Sequence, residues 1–209
     1  MNSRWTFSAV VVAIVIVIGQ VIVNGQKNFV LTVVDDFSVP SAHLKCNGPC
    51  YPIVGSASGP GILGGARLIQ LQANQGTITC ESVGASLEID ALGYNAGNQT
   101  YYYAQSAQLI YDDNEYPINP NGLGRVNLYD GQGQAFFELD LLNSAEKDFW
   151  SMNITVYSGN INCTSQFNPC TADADCVTYV PFSDFYPCDM TNVGAITLTI
   201  YAIRPSTQS

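Results

Sequence analysis

The seven cysteines are the side chains of this protein best suited to covalent chemistry. They are Cys46, Cys50, Cys80, Cys163, Cys170, Cys176 and Cys188. In an exported protein such thiols form disulfides, so three bridges would leave one thiol that is either buried or paired with a second chain. Cys46 and Cys50 can close on each other or reach distant strands. Zinc is the weaker interpretation, because the spacings contain no CxxC pair and His43 is the only histidine.

Acidic residues are a second possible source of chemistry. Asp112, Asp113 and Glu115 form the densest cluster of oxygen ligands, and calcium prefers several such ligands together. The spacing matches no EF-hand, so a solvated turn is the competing interpretation. Calcium is therefore a possible ligand at these three residues, and the sequence implies no other cofactor.

The sequence does not point to an enzyme. Glycoside hydrolysis needs two carboxylates about 5 to 10 Å apart, but nothing selects a pair among the 17 acidic residues. A serine or cysteine nucleophile needs a base within hydrogen-bond reach, and no Gly-x-Ser-x-Gly motif accompanies His43. We therefore assign no catalytic residue and interpret His43 as a solvated loop residue.

Tyrosines could provide a binding surface. In the run Tyr101-Tyr102-Tyr103, side chains alternate along a strand, so Tyr101 and Tyr103 would share one face. Together with Tyr111 they would offer a large aromatic contact area at a small entropic cost, as a glycan-binding site requires. The competing interpretation is that these rings fill the core.

The first 25 residues predict export. Arg4 is followed by a nearly unbroken apolar run, and Val23-Asn24-Gly25 offers small residues for cleavage before Gln26. An uncleaved anchor is the alternative, but a spanning helix needs about 20 apolar residues and Gly19-Gln20 interrupts the run. The chain thus divides into a signal peptide, residues 1–25, and a mature protein, residues 26–209. We expect the mature protein to be secreted, extracellular or at the cell surface, and free of the membrane.

Glycosylation and charge agree with an extracellular protein. Three sequons begin at Asn98, Asn153 and Asn162, which predicts a glycoprotein if the chain passes through a eukaryotic secretory route. The formal net charge is −10, so phosphate backbones and anionic lipid headgroups would repel the chain. We therefore do not expect this protein to bind nucleic acid.

Short strands must position these residues. Alternating or β-branched segments bounded by Gly, Pro, Asn and Asp predict strands at residues 29–34, 66–72, 76–80, 87–90, 101–104, 107–111, 126–129, 135–142, 152–157 and 195–203. Residues 38–61 and the cysteine-rich segment 163–188 are expected to be loops, the second with a disulfide inside it. No long helix is expected after residue 25. The pattern predicts one all-β domain, an antiparallel β-sandwich or jelly roll stapled by disulfides.

Several stretches together resemble a known domain. They are Val34-Asp-Asp-Phe37, Gly61-Ile-Leu-Gly-Gly-Ala-Arg67, Leu109-Ile-Tyr-Asp-Asp113, Gly122-Leu-Gly-Arg-Val-Asn-Leu128 with the strand up to Leu139, and Ile154-Thr-Val-Tyr-Ser158. Their order resembles the β-sandwich domain of secreted and surface-anchored proteins, which is common in bacterial proteins with sorting-signal tails and generally of unknown function. The resemblance implies a fold and an extracellular location and carries over no catalytic residue. Asp112-Asp113 replaces the usual Asp-Gly, and the cysteine-rich segment is not part of the pattern.

These observations lead to three hypotheses. The first is a non-enzymatic structural or adhesion protein of the cell surface, the extracellular matrix or a filament, which contacts other extracellular proteins or assembles with itself. Self-assembly is expected if residues 29–34 or 195–203 form an edge strand, or if the seventh cysteine links two chains. The second is a lectin-like module that binds glycans through its tyrosines. The third is a secreted glycoside hydrolase.

Overall fold

A computed structural model describes residues 6–23, 26–83, 85–92, 94–96, 99–101, 105–113, 116–129, 135–142, 150–168 and 176–202. The strands are β1 (Thr6–Val23), β2 (Gln26–Asp35), β3 (Leu44–Asn47), β4 (Cys50–Ser58), β5 (Ala66–Ala73), β6 (Thr77–Val83), β7 (Ser86–Leu92), β8 (Tyr94–Ala96), β9 (Gln99–Tyr101), β10 (Gln105–Tyr111), β11 (Ala135–Leu142), β12 (Trp150–Ser158), β13 (Ile161–Phe167), β14 (Cys176–Pro181) and β15 (Ala195–Ala202). The helical elements in these ranges are two 3-10 turns, Leu63–Gly65 and Phe182–Phe185.

The strands form two large sheets and one small hairpin. The larger sheet has the order β14-β11-β1-β7-β6-β3, with β2 paired to β1 as its seventh strand. The second sheet has the order β13-β12-β15-β10-β5-β4, and β8 pairs with β9. Neighbouring strands are antiparallel throughout. The prediction of an all-β antiparallel fold is therefore confirmed.

One hydrophobic core receives side chains from both large sheets. Leu87 and Ile89 of β7 are fully buried, whereas Glu88 between them is exposed, as the two-residue period of a strand requires. Ile69 of β5 and Leu109 of β10 enter the same core from the second sheet. The finer assignment to a sandwich or a jelly roll stays a prediction.

The two predicted loops are wrong in part. Residues 38–61 contain β3 and β4, and the cysteine-rich segment contains most of β13 and all of β14. These strands lie at sheet edges, where polar side chains and proline are tolerated, so their sequences lack the apolar signal of central strands. Pro52, for example, lies in β4 at a register shift between Cys50 and Ile53. Conversely, Val126 makes only an isolated bridge to Val193 instead of starting a strand.

The predicted signal segment has a place in this fold. Thr6–Val23 forms an 18-residue strand between β7 and β11 in the larger sheet. Cleavage before Gln26 stays a prediction. Within the described ranges, no helix is long and apolar enough to cross a membrane.

Candidate functional site

The cysteines form two short-range bridges. Cys46 is bonded to Cys50 across the β3–β4 connection, and Cys163 of β13 is bonded to Cys188. The predicted bridge inside the cysteine-rich segment is therefore confirmed. Cys80 is a free, buried thiol in β6, and burial raises its pKa to about 12. Cys170 lies outside the described residues, as does the side chain of Cys176.

A buried ion pair joins β2 to β5. The Arg67 Nη1 group donates a hydrogen bond to Oδ2 of Asp35, and both side chains are fully buried. Arg67 Nη2 also donates to the carbonyl of Val39 at 3.0 Å, and its guanidinium carbon lies 5.0 Å from the centre of the Phe37 ring. Burial raises the pKa of the Asp35 carboxyl, and the charge of Arg67 opposes that rise. The pair therefore ties the two large sheets together from within.

Backbone groups make further contacts around this ion pair. Oδ1 of Asp35 accepts a hydrogen bond from the backbone N–H of Phe37 at 2.9 Å, so the carboxylate terminates β2 with a tight turn. Ser82 of β6 donates to the carbonyl of Phe37 at 3.1 Å. Gly61 has a φ of +87°, and a Cβ there would lie 2.6 Å from the Asp36 carboxylate. Only glycine fits this position, which lies next to the bridge between Asp35 and Ile62.

The stretches that carry the family resemblance meet around this ion pair. Tyr111, at the end of β10, is fully buried, and its pKa is raised by burial and by the charge of Asp35. A Cβ on Gly64 would lie 2.4 Å from the Leu123 side chain and 3.2 Å from the Asp112 carbonyl. Four of the stretches thus share one closed interior. No substrate can reach a site that is fully buried, so the arrangement stabilises the fold instead of performing chemistry.

The tyrosine prediction is wrong at one of its three positions. Tyr111 has no exposed surface because it points inward from a central strand, with Leu109 and Ala107 at the same face. It cannot stack on a sugar ring. Tyr101 ends β9, its side chain lies outside the described part, and Tyr103 lies outside it entirely. Those two residues stay a prediction.

The proposed calcium ligands are only partly placed. Asp112 is buried, and its Oδ2 accepts a hydrogen bond from the backbone N–H of Asn119 at 3.0 Å. Asp113 accepts a hydrogen bond from the side-chain amide of Asn119. These contacts favour a hydrogen-bonded turn over an open cation site. Glu115 is outside the described ranges, and within those ranges no group of three acidic, histidine or cysteine side chains could hold a metal.

The asparagines of the three predicted sequons differ in solvent exposure where the structure describes them. Asn162 is exposed on the edge strand β13, two residues after the Gly159–Asn160 turn. Asn153 is half-buried in β12, between β13 and β15, and its Oδ1 is covered without a hydrogen-bond partner. Asn98 is outside the described residues. Glycosylation itself stays a prediction, and Asn162 is its best-placed acceptor.

The surface carries an aromatic groove of about 640 Å³. We define it by its lining residues, which are Tyr129, Ala135, Phe136, Pro181, Phe182, Ser183, Cys188, Asp189, Met190 and Thr191. Phe182 packs on Phe137 with ring centres 5.1 Å apart, and Phe137 packs in turn on the buried Phe185. The Cys163–Cys188 bridge holds the segment that forms one wall. The groove is therefore supported by the core.

The polar rim of the aromatic groove is fixed by local hydrogen bonds. Oδ1 of Asp189 accepts bonds from the hydroxyl and the backbone N–H of Thr191, at 2.7 and 2.9 Å. These bonds lower the pKa of Asp189, so the groove presents a carboxylate. Aromatic walls beside one carboxylate and the hydroxyls of Tyr129, Ser183 and Thr191 suit a polar ring-shaped ligand. Asp189 is the only acidic residue among the described residues of the lining, whereas a glycosidase uses two facing carboxylates.

Several of the other described carboxylates lie on the sheets. Glu138 and Asp140 share one face of β11, and the pKa of Glu138 is raised by burial and by Asp140. Glu81 and Glu88 are directly opposed on β6 and β7. His43 lies on the surface, where its Nδ1 is 3.1 Å from Oε2 of Glu81. His43 precedes β3 in an exposed loop, as expected.

Comparison with known protein families, curated proteins and solved structures finds no match for this chain. The resemblance to surface-anchored β-sandwich domains therefore stays an expectation. Sequence reasoning missed both the ion pair and the aromatic groove. Arg67 offered a signal, since a lone arginine precedes the apolar run Leu68-Ile69, where a buried charge needs a partner.

Proposed function

We propose that this chain is a secreted, non-enzymatic structural protein of the cell surface, an extracellular matrix or a filament, and that it assembles with copies of itself. The observation that carries the proposal is the position of β2. Among the described residues, β2 pairs with β1 along one side, and on its other side only Asp35 at its end forms a bridge, to Ile62. Backbone groups along the other side of such a strand can pair with another chain.

The composition of β2 supports this role. Residues 29–34 are Phe-Val-Leu-Thr-Val-Val, a strongly strand-forming run without charge or proline to block pairing. Val33 is 41% exposed, whereas Val34 beside it is fully buried. Strand β15, the other candidate edge, lies between β12 and β10. The expectation that residues 195–203 form an edge strand is therefore wrong. Of the two candidate edge strands, β2 is the one left.

Among the cysteines whose side chains the structure describes, the one free thiol does not support assembly. Cys80 is buried and free, so its thiol is not available to a second chain. Association through β2 should consequently not depend on the Cys80 thiol. The Cys80→Ala variant is therefore expected to assemble like the unaltered protein.

Light scattering of mature protein with Val33→Lys tests the proposal. A lysine on an edge strand blocks pairing, so this variant should show the mass of a monomer where the unaltered protein shows multiples. Val54→Lys is the matched control, because Val54 is 40% exposed on β4 at an edge of the other sheet. Equal association of both variants would argue against β2, and monomers in every sample would refute self-assembly.

A second candidate function is glycan binding in the aromatic groove. Phe136 packs edge-on against Tyr179 with ring centres 5.0 Å apart, which leaves an aromatic surface beside Asp189. Phe136→Ala should weaken oligosaccharide binding about tenfold, equal to about 1.4 kcal/mol. Tyr201→Ala on β15 is the control, since Tyr201 is 37% exposed on the other sheet. Isothermal titration that detects no oligosaccharide binding would exclude this function.

A further inference from the structure

We propose that, once Met1–Gly25 are removed, residues 26–34 of a second copy of the chain fill the strand position that β1 occupies. The inference rests on the proposed function. It names the segment that joins two copies and the slot that receives it.

Removal of β1 would separate the strands that pair with it. Residues Thr6–Val11 pair with β7, and Val10–Ile18 pair with β11. Residues Ile14–Val23 pair with β2, which lies on the same side of β1 as β7. Neighbouring strands lie about 4.8 Å apart, so removal of β1 leaves β11 separated from β7 and β2 by about twice that distance. Hydrogen bonds cannot span such a gap, because the donor and acceptor atoms must approach to about 3 Å.

The gap would lie over the core. Leu87 and Ile89 of β7 and Phe137 and Leu139 of β11 are all fully buried. Loss of β1, which pairs with both strands and with β2, would leave unpaired backbone groups along β7, β11 and β2 and would open the core to water. A mature protein without β1 therefore needs another strand in this position.

The chain's own β2 cannot supply that strand with the same pairing. β1 is antiparallel to β2, β7 and β11, so β2 runs in the same direction as β7 and β11. A replacement with antiparallel pairing must run opposite to β2. A sideways shift of β2 would instead give parallel pairs and would pull Asp35 away from Arg67, leaving both charges buried and unpaired.

The same segment from a second copy can enter in the required direction. Residues 26–34 are nine in number, and so are residues 10–18, which pair with β11. The segment Gln-Lys-Asn-Phe-Val-Leu-Thr-Val-Val contains no glycine or proline, so every residue has a backbone N–H for pairing, and its only charged residue is Lys27 near its start. Asp35 remains tied to Arg67 in its own copy, so the segment before it forms the connection between two subunits.

Three forms of the chain test the inference by light scattering. They are residues 26–209, residues 1–209 made by cell-free synthesis so that Met1–Gly25 are retained, and residues 35–209. The form 26–209 should associate at a lower protein concentration than the other two, because it alone has both an open slot and a donor, whereas the form 1–209 keeps only the edge of β2. A labelled peptide of residues 26–34 should bind to the form 35–209, and the same peptide with Leu31→Pro should not.

A further variant covers the possibility that the form 35–209 does not fold. Residues 26–209 with Leu31→Pro should be monomeric, because proline blocks the donor strand. If this variant associates as strongly as the unaltered form, the inference is wrong. If the form 1–209 assembles as readily as the form 26–209, edge pairing by β2 stands and the slot is wrong. Monomers in all forms would refute the proposed function as well.

Discussion

Arg67 shows how a single residue can organise this protein. Its guanidinium lies between the two large sheets and pairs with Asp35, which ends β2. An arginine remains charged at any physiological pH, so its burial is tolerable only with a partner of opposite charge. Its hydrogen bonds to Asp35 and to the Val39 carbonyl supply that compensation, while its Nε has no hydrogen-bond partner.

Removal of Arg67 should therefore be strongly destabilising. Arg67→Met would leave the Asp35 carboxylate buried without its partner, and we expect a loss of about 3–5 kcal/mol in the free energy of unfolding. Urea denaturation measures this change. Lys45→Met, at an exposed position of β3, should change stability by less than about 0.5 kcal/mol. If Arg67→Met behaves like Lys45→Met, the ion pair does not hold the sheets together.

The Cys80 thiol should be unreactive in the folded protein. The thiolate is the nucleophilic form, and a pKa of about 12 leaves almost none of it at pH 8. Iodoacetamide should therefore label Cys80 only after the protein is unfolded in urea. Rapid labelling of the native protein at pH 8, located by peptide mapping, would show that this thiol is accessible and would restore it as a link between chains.

Strands differ in how well the sequence predicts them. β10, β11, β12 and β15 have apolar or β-branched alternation, and each was predicted within two residues of its ends. β3, β4, β13 and β14 lie at sheet edges, and they were missed because polar residues, glycine or proline interrupt their apolar pattern. The position of β15 in the middle of its sheet could not be predicted either, since strand order depends on long-range pairing that no local pattern encodes.

The candidate sites also differ in how well the sequence predicts them. The aromatic groove unites residues 129, 135–136, 181–183 and 188–191, which are distant in sequence and have no common motif. The ion pair between Asp35 and Arg67 depends on how two sheets pack. In contrast, the disulfide inside the cysteine-rich segment could be predicted, because four closely spaced cysteines have few other partners.

The Cys163–Cys188 disulfide should stabilise the wall of the aromatic groove. It closes a loop with a sequence separation of 25, for which the chain-entropy model gives about 3 kcal/mol. Replacing both cysteines by alanine should therefore lower stability by about that amount and speed hydrogen exchange around residues 182–190. Replacing Cys46 and Cys50, whose separation is 4, should have a smaller effect on those amides. Unchanged exchange in the first variant would contradict this role.

At the scale of the whole molecule, glycans would leave some edges open and cover others. Asn162 is exposed on β13, an edge of the second sheet, whereas β2 belongs to the other sheet. A glycan at Asn162 would hinder strand addition to β13 because of its bulk. Assembly would then be directed towards β2.

We expect glycan occupancy to be highest at Asn162. Mass mapping before and after enzymatic removal of N-glycans should show a modified Asn162, and less modification of Asn153 because its side chain is half-buried in the middle of a sheet. A Thr164→Ala variant removes the sequon and serves as the control. Unmodified Asn162 in protein from cells that glycosylate would contradict the prediction.

Electron microscopy of the oxidised protein, purified from the cells that export it, tests the central claim most directly. We predict particles or filaments of several copies in which the N-terminal strand of the mature chain contacts a neighbouring subunit, and we expect them to persist under reducing conditions because no thiol link is required. Single copies at every protein concentration, with the larger sheet complete within each chain, would contradict self-assembly as the function of this protein.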